Sequence, residues 1–124
     1  MNHAESHFRI QVVRTLRLAG FLVFSVPNGQ RLSLSRAALA KQEGLLAGVS
    51  DLVVVLPAGR VIFVELKSPH GKGRQSPAQK DFQARVEVLG HEYQLWQNWD
   101  DVQAFMDNAR AWEATHPLKI GGTD

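Results

Sequence analysis

Two apolar runs joined by a short turn limit most strongly how this chain can fold. Residues 52–56 read Leu-Val-Val-Val-Leu and residues 61–64 read Val-Ile-Phe-Val, with Pro-Ala-Gly-Arg between them. Runs of β-branched and aromatic residues divided by Pro and Gly are typical of a β-hairpin. Because both faces of these strands are largely apolar, we expect both faces to be covered, as in the centre of a sheet.

Charged residues border this hairpin, and the length of its loop decides which of them share a face. Asp51 precedes the first run, and Glu65 follows the second. A two-residue loop at 58–59 would pair Asp51 with Leu66 and point Glu65 to the opposite face. A three-residue loop at 57–59, with Pro opening a type I turn and Gly in the left-handed position, would pair Asp51 with Glu65. We favour the three-residue loop because both residue types suit it.

In that register, Asp51, Glu65 and Lys67 lie on one face. Two carboxylates facing each other at ~5 Å repel, and a divalent cation removes the conflict. Oxygen ligands in a chain without cysteine suit Mg²⁺ or Mn²⁺ better than Zn²⁺. An ammonium beside the metal can orient water or stabilise a charged phosphate, so this set fits phosphodiester hydrolysis. The alternative is structural, with Asp51 capping a turn and Glu65 pairing with Lys67 at the surface.

The remaining pattern predicts one α/β domain at residues 1–115, followed by a flexible tail at 116–124. A mixed four-stranded sheet flanked by helices is expected, in the order α-β-α-β-β-α-β-α. The predicted helices are 5–19, 33–43, 77–89 and 99–112, and the predicted strands are 21–26, 51–56, 61–67 and 91–96.

Charge and composition narrow the class of partner. Fourteen Lys and Arg residues against 12 Asp and Glu residues give a net charge of +2, which permits a nucleic-acid partner without demanding one. No apolar run approaches the ~18 residues of a membrane span, so we expect no membrane partner. The absence of cysteine and of a signal-peptide pattern fits a reducing compartment, so a cytoplasmic location is expected.

Two helical residues are candidate members of the same site. Gln79 lies in the first turn of the third predicted helix, on the helix face that also carries the apolar residues Phe82 and Val86. Its amide could hold a phosphate, a water or the lysine, and the alternative is a simple hydrogen bond at the edge of the core. Glu5 lies on the same face of the first helix as its apolar residues, so its side chain is expected to point toward the sheet. The alternative is that Glu5 only stabilises the first turn of the helix through the helix dipole.

Basic residues after the second strand of the hairpin are candidates for binding DNA. Lys72, Arg74 and Lys80 lie in or beside a Gly-containing loop suited to following a phosphate backbone. A solvated loop is the alternative. Asn28, in an Asn-Gly pair, is assigned with them, and an ordinary turn is its alternative. Ser76 is interpreted as a helix cap rather than a nucleophile.

Taken together, these motifs resemble the virus-type replication-repair nuclease domain (VRR-NUC), a branch of the PD-(D/E)XK nuclease superfamily. The resemblance extends from Glu5 to about Phe105. The matching pieces are Glu5-x-x-Phe8, Val26-Pro27-Asn28-Gly29, Gly48-Val49-Ser50-Asp51-Leu52, Phe63-Val64-Glu65-Leu66-Lys67, and Ser76-Pro77-Ala78-Gln79 with Phe82. Two positions depart from the family pattern. Ser50 replaces a frequent Pro, and Arg9 stands where a Gln often follows the first-helix hydrophobe.

The resemblance implies a restriction-endonuclease-like core and a role for each matching residue. The implied roles are metal ligation by Asp51, Glu65 and the backbone carbonyl of Leu66, catalysis by Lys67, an active-site position for Gln79, and an additional carboxylate at Glu5. The family cleaves DNA with Mg²⁺ or Mn²⁺. Its small members resemble Holliday-junction resolvases, which implies a homodimer acting on branched DNA, often encoded by a phage.

We therefore expect a metal-dependent DNA endonuclease. One rival hypothesis is a non-catalytic nucleic-acid-binding module on the same fold. A second is a structural or inhibitory protein that binds another protein.

Overall fold

The computed structural model describes residues 3–27, 32–67 and 74–118, with side chains from Ser6 onward. The predicted order of eight elements is confirmed. The elements are α1 (His3–Leu18), β1 (Leu22–Ser25), α2 (Leu34–Gln42), β2 (Leu52–Val55), β3 (Val61–Leu66), α3 (Pro77–Val88), β4 (Glu92–Trp96) and α4 (Trp99–Thr115). Helix α4 continues past the predicted end at residue 112, because no helix breaker occurs before Pro117, which disfavours helical backbone at His116.

The four strands form one mixed sheet in the order β1-β2-β3-β4. β1 pairs with β2 and β2 with β3 in antiparallel fashion, whereas β3 and β4 are parallel. Helix α3 provides the crossover between the two parallel strands, as a parallel connection requires. None of the described helices is long and apolar enough to cross a membrane.

The core lies on one face of the sheet. That face consists of Val23, Leu52, Val54, Leu56, Ile62, Val64 and Leu66, all buried. Helix α1 covers it with Phe8, Val12 and Leu16, and α4 covers it with Val102, Phe105 and Ala109. Each fully buried side chain of this size contributes about 1.5–3 kcal/mol through removal of apolar surface from water. This face therefore holds the hairpin in place.

The opposite face is covered unevenly. Helix α3 lies over β3 and β4, where the Phe82 ring meets Phe63 at 5.7 Å and Tyr93 at 6.3 Å between centroids. On β1, however, Leu22 remains 61% exposed and Phe24 44% exposed. The hairpin strands β2 and β3 are covered on both faces, as expected, and no residue of either is exposed. The edge strand β1 remains open on this face because α3 packs over β3 and β4, at the opposite edge of the sheet.

The hairpin has the favoured register but a different turn. Leu52 pairs with Val64, and the amide of Leu56 donates to the carbonyl of Arg60 at 2.8 Å. The loop is therefore three residues long, as predicted. Ala58 and Gly59 both have positive φ, 61° and 75°, as in a type I′ turn rather than type I.

Candidate active site

The two predicted metal-ligating carboxylates lie side by side on the face opposite the core. Asp51 immediately precedes β2 and Glu65 lies near the end of β3. Because Leu52 pairs with Val64, the next position places Asp51 opposite Glu65. The side chain of Glu65 is buried, at 2% exposure. The hairpin register therefore brings together the residues that sequence reasoning assigned to the metal.

Both carboxylate oxygens of Asp51 accept hydrogen bonds. Oδ2 accepts from the backbone N–H of Leu66 at 2.8 Å, and Oδ1 accepts from Nη2 of Arg9 on α1, also at 2.8 Å. In an extended strand, the N–H and C=O of one residue point toward the same neighbour. The carbonyl of Leu66 therefore points toward the β2 side, where Asp51 lies.

Two side chains donate hydrogen bonds to Glu65, which is buried beside Asp51. Its Oε1 accepts from Nε2 of Gln79 at 3.1 Å, and its Oε2 lies 3.4 Å from the Tyr93 hydroxyl, which donates to it. Burial, followed by hydrogen bonding and repulsion from Asp51, raises the pKa of Glu65 from 4.5 to about 9, although the charge of Lys67 and the hydrogen bond from Tyr93 act in the opposite direction. The surroundings of Glu65 therefore shift it toward its protonated form.

Lys67 contacts the amide oxygen of Gln79, whereas Glu65 contacts its amide nitrogen. Its Nζ donates to Oε1 of Gln79 at 3.2 Å and to the backbone carbonyl of Arg74 at 3.1 Å. Lys67 is only 7% exposed. The alternative of a surface ion pair between Glu65 and Lys67 is therefore wrong. The two side chains are instead linked through one amide in a buried arrangement.

Gln79 is fixed in this position by the start of α3. Ser76 is the N-cap, as predicted, and its Oγ accepts from the Gln79 amide at 3.2 Å. Oε1 of Gln79 also accepts from the Ser76 amide at 2.8 Å, which completes a capping box. The same side chain therefore caps the helix and bridges Glu65 to Lys67.

A cleft of about 420 Å³ leads to this site. It lies between α2, the loop before β2 and the start of α3, and Lys41, Asp51 and Gln79 are among its lining residues. The loop approaches α3 closely at Gly48, where a Cβ would lie 2.2 Å from the carbonyl oxygen of Ala78. Gly48 also has a φ of +84°, so glycine is required there on both counts.

The remaining sequence-predicted residues are placed less completely. Arg74 and Lys80 are exposed beside the first turn of α3, and only the backbone carbonyl of Arg74 contacts the site residues described above. Lys72 and Asn28 lie outside the described residues. The backbone of Glu5 belongs to α1, and its side chain is outside the described part.

Two residues of the site, Arg9 and Tyr93, carry no predicted role in the sequence. Arg9 stands out there only as a departure from the family pattern, and no motif includes Tyr93. Burial, and next the charge of Glu65, raise the pKa of Tyr93, so its hydroxyl stays protonated and donates. The pairing of Phe63 with Tyr93 puts that ring on the site face. A sequence signal existed in the alternation along β4, but it could be used only once β4 was known to lie beside β3.

The donors at this site suit a hard divalent cation. Among the described side chains, which begin at Ser6, no three His, Cys, Asp or Glu residues cluster, and the carboxylates brought together at the site are those of Asp51 and Glu65. Mg²⁺ typically takes one or two carboxylates and fills its shell with water and substrate phosphate. Asp51, Glu65 and the Leu66 carbonyl fit such a shell, because the two carboxylates face each other and the Leu66 carbonyl points toward Asp51.

Comparison with known proteins gives a consistent result. A VRR-NUC domain model matches residues 10–97. A solved structure described as a VRR-NUC domain protein is similar at 19% identity with a TM-score of 0.69, covering 88% of this chain and 89% of that one. A second, described as a VRR-NUC domain, is 20% identical with a TM-score of 0.62, covering 86% and 97%. At these identities the structures show the fold alone. No curated protein matches.

Proposed function

This chain belongs to the VRR-NUC family, a family of nuclease domains, and on that premise we propose that it is a metal-dependent endonuclease that hydrolyses DNA phosphodiester bonds. One observation carries the proposal. Asp51 adjoins Glu65, and Gln79 joins Glu65 to the buried ammonium of Lys67. Burying these charged groups together is costly for stability alone. A catalytic role accounts for their retention at the end of an otherwise apolar hairpin.

Mg²⁺ or Mn²⁺ is the proposed cofactor, held by Asp51, Glu65 and the carbonyl of Leu66. When bound, such an ion polarises a phosphate oxygen and lowers the pKa of a coordinated water. The protein contributes the orientation of its ligands. The amide of Leu66 holds Asp51, and Gln79 with Tyr93 holds Glu65.

Lys67 is the proposed catalytic lysine. Its ammonium is positioned by Gln79 and by the carbonyl of Arg74, within a buried site that strengthens electrostatic interactions. From there it can orient the attacking water and stabilise negative charge on the phosphate. Gln79 acts as a positioning residue because it fixes Glu65 and Lys67 at the same time.

The substrate is proposed to be held by its phosphate backbone. Arg74 and Lys80 are exposed beside the site, and Lys72 and Asn28 complete the predicted DNA-binding set. Phosphate contacts carry no direct sequence information, so binding should be sensitive to salt and largely indifferent to sequence. The resemblance to junction resolvases leads us to propose branched DNA as the preferred substrate and a homodimer as the active form, which sedimentation equilibrium would test.

One observation favours the rival hypothesis of a non-catalytic DNA-binding module. Arg9 pairs with Asp51, and Glu65 has a raised pKa, so the two carboxylates are partly neutralised without a metal. A site of this kind could bind DNA through the same face without cleaving it.

Cleavage of a substrate panel separates the two hypotheses. The purified protein would be incubated with a four-way junction, a flap and a plain duplex of equal length, in Mg²⁺, in Mn²⁺ or in EDTA. The nuclease hypothesis predicts cleavage with either metal, preferentially of the junction, and none in EDTA. Binding of all three substrates without cleavage in any metal would refute it and support the binding module.

A further inference from the structure

Arg9 donates a hydrogen bond to Oδ1 of Asp51, the carboxylate oxygen that the backbone amide of Leu66 does not contact. The amide of Leu66 takes Oδ2 of this carboxylate, and Nη2 of Arg9 takes Oδ1, each at 2.8 Å. The guanidinium is thus a positive charge placed on one of the two carboxylates proposed to hold the metal. Arg9 lies just outside residues 10–97, which match the family model, so that match does not extend to this residue.

The contact between Arg9 and Asp51 is suited to exchange. The Arg9 side chain is 24% exposed, so it has a route toward solvent. Its Nε is buried and has no hydrogen-bond partner among the described residues. A buried N–H without a partner loses its hydration without compensation. The guanidinium is therefore bound to the site through one good hydrogen bond rather than through the two that a bidentate pair would give.

Asp51, by contrast, does not depend on Arg9 for its position. The hydrogen bond from Leu66 is made by the backbone of β3, and its partner Oδ2 is not the atom that Arg9 contacts. If Arg9 left, the carboxylate would remain anchored with Oδ1 exposed. A divalent cation arriving there would meet a prepared ligand, and it would repel a guanidinium that remained within a few ångströms.

We propose that Arg9 is a resident counter-ion of the metal site: it neutralises Asp51 in the metal-free protein and is displaced when a divalent cation binds. The inference rests on the proposed function, since it assumes that Asp51 is a metal ligand. Arg9 and the metal then compete for the same oxygen. The protein should accordingly require a higher metal concentration than the same site would without Arg9.

Calorimetric titration with Mn²⁺ tests this competition without measuring activity. The variants are Arg9→Gln, which removes the charge but keeps a polar side chain, and Arg14→Gln as the matched control. Arg14 is exposed on the same helix and lines the same groove beside β1 as Arg9, so its replacement changes the net charge equally. We expect Arg9→Gln to lower the Mn²⁺ dissociation constant about tenfold, and Arg14→Gln to leave it within about twofold.

The unfolding temperature gives a second readout. If Arg9 had only a structural role, its replacement would not change how much Mn²⁺ raises that temperature. In EDTA, Arg9→Gln should unfold at a lower temperature than wild type, because Asp51 loses its counter-charge. Saturating Mn²⁺ should raise its unfolding temperature by more than it raises that of wild type, because tighter binding stabilises the folded state more at equal metal concentration.

The outcomes separate this inference from the proposed function. Equal or weaker Mn²⁺ binding by Arg9→Gln, with wild type still binding, would overturn the counter-ion role and leave the metal site standing. No binding by wild type or by either variant would overturn both. Binding by Arg9→Gln where wild type shows none would support the inference in its strongest form.

Discussion

Gln79 illustrates how one side chain can serve both folding and the site. Its side chain completes the capping box with Ser76 and also bridges Glu65 to Lys67. The sequence predicted its helical position and its direction from the stripe it shares with Phe82. It offered Lys67 as one possible partner but could not predict the contact with Glu65, which requires the end of β3 and the start of α3 to lie within hydrogen-bond distance.

Replacing Lys67 by Ala should abolish most cleavage while leaving DNA binding intact. The side chain is buried beside Gln79 but lies outside the core face, so the domain should still fold. We expect kcat to fall by about 10²–10⁴-fold, the range of a proton-transfer or charge-stabilising group.

The exposed Lys80 is the comparison for this variant. Lys80→Ala should weaken DNA binding and raise KM with little change in kcat, because a phosphate contact contributes mainly to binding. Circular dichroism would check folding of both variants. Cleavage by Lys67→Ala at the wild-type rate would show that its assigned role is wrong.

Glu65 should make the metal-free protein less stable as the pH rises. Its pKa is raised from 4.5 to about 9 by burial and by Asp51. The folded state therefore binds a proton that the unfolded state releases between these values. By linkage, this contribution to stability is complete below about pH 4.5 and is lost progressively as the pH approaches 9.

The variant Glu65→Gln, which cannot ionise, isolates this effect. Urea unfolding in EDTA from pH 5 to pH 9 should show the free energy of unfolding of Glu65→Gln rising relative to wild type as the pH increases. A difference between the two proteins that stays constant over this range would contradict the assignment. In Mn²⁺, the same variant should bind the ion more weakly.

The loop before β2 approaches the first turn of α3 closely at one residue, Gly48. Gly48 and Gly44 both have positive φ, at +84° and +114°, but only Gly48 has backbone of α3 within contact distance of an added Cβ. Both positions therefore require positive φ, but only Gly48 lacks room for a side chain. They form a natural pair for substitution.

Gly48→Ala should be more destabilising than Gly44→Ala. Both variants lose about 1–2 kcal/mol because an alanine is strained at positive φ. Gly48→Ala should lose a further ~1–3 kcal/mol through overpacking against Ala78. It should also reduce cleavage, since the displaced helix carries Gln79. Urea unfolding and single-turnover cleavage would measure both effects, and equal stability of the two variants would refute the packing role.

The hairpin shows what local sequence can and cannot specify. The loop length was predictable because Pro57 and the following glycine limit the options, and the register followed from it. The turn type was not predictable, since the left-handed conformation of Ala58 runs against the preference of alanine. Register, rather than turn type, decides that Asp51 faces Glu65, so the error in the turn did not affect the site.

At the scale of the whole molecule, the order of elements and the core face were predictable from periodicity, whereas contacts between distant elements were not. Arg9 reaches Asp51 only because α1 packs across the start of β2, 42 residues away. Tyr93 reaches Glu65 only because β4 lies parallel to β3. Both contacts depend on the order of the strands and the placement of the helices, which local sequence patterns do not encode. The carboxylates and the lysine, by contrast, lie within one hairpin.

Cleavage of a covalently closed circular DNA that carries an extruded cruciform would show whether the protein is a metal-dependent endonuclease. A circle has no ends, so any cut is endonucleolytic, and the Asp51→Asn variant purified in parallel controls for contaminating nucleases. We expect that wild type nicks or linearises the circle in Mn²⁺ but not in EDTA, and that Asp51→Asn leaves it intact. An intact circle with wild type in Mn²⁺, or equal cutting by Asp51→Asn, would contradict the proposed function.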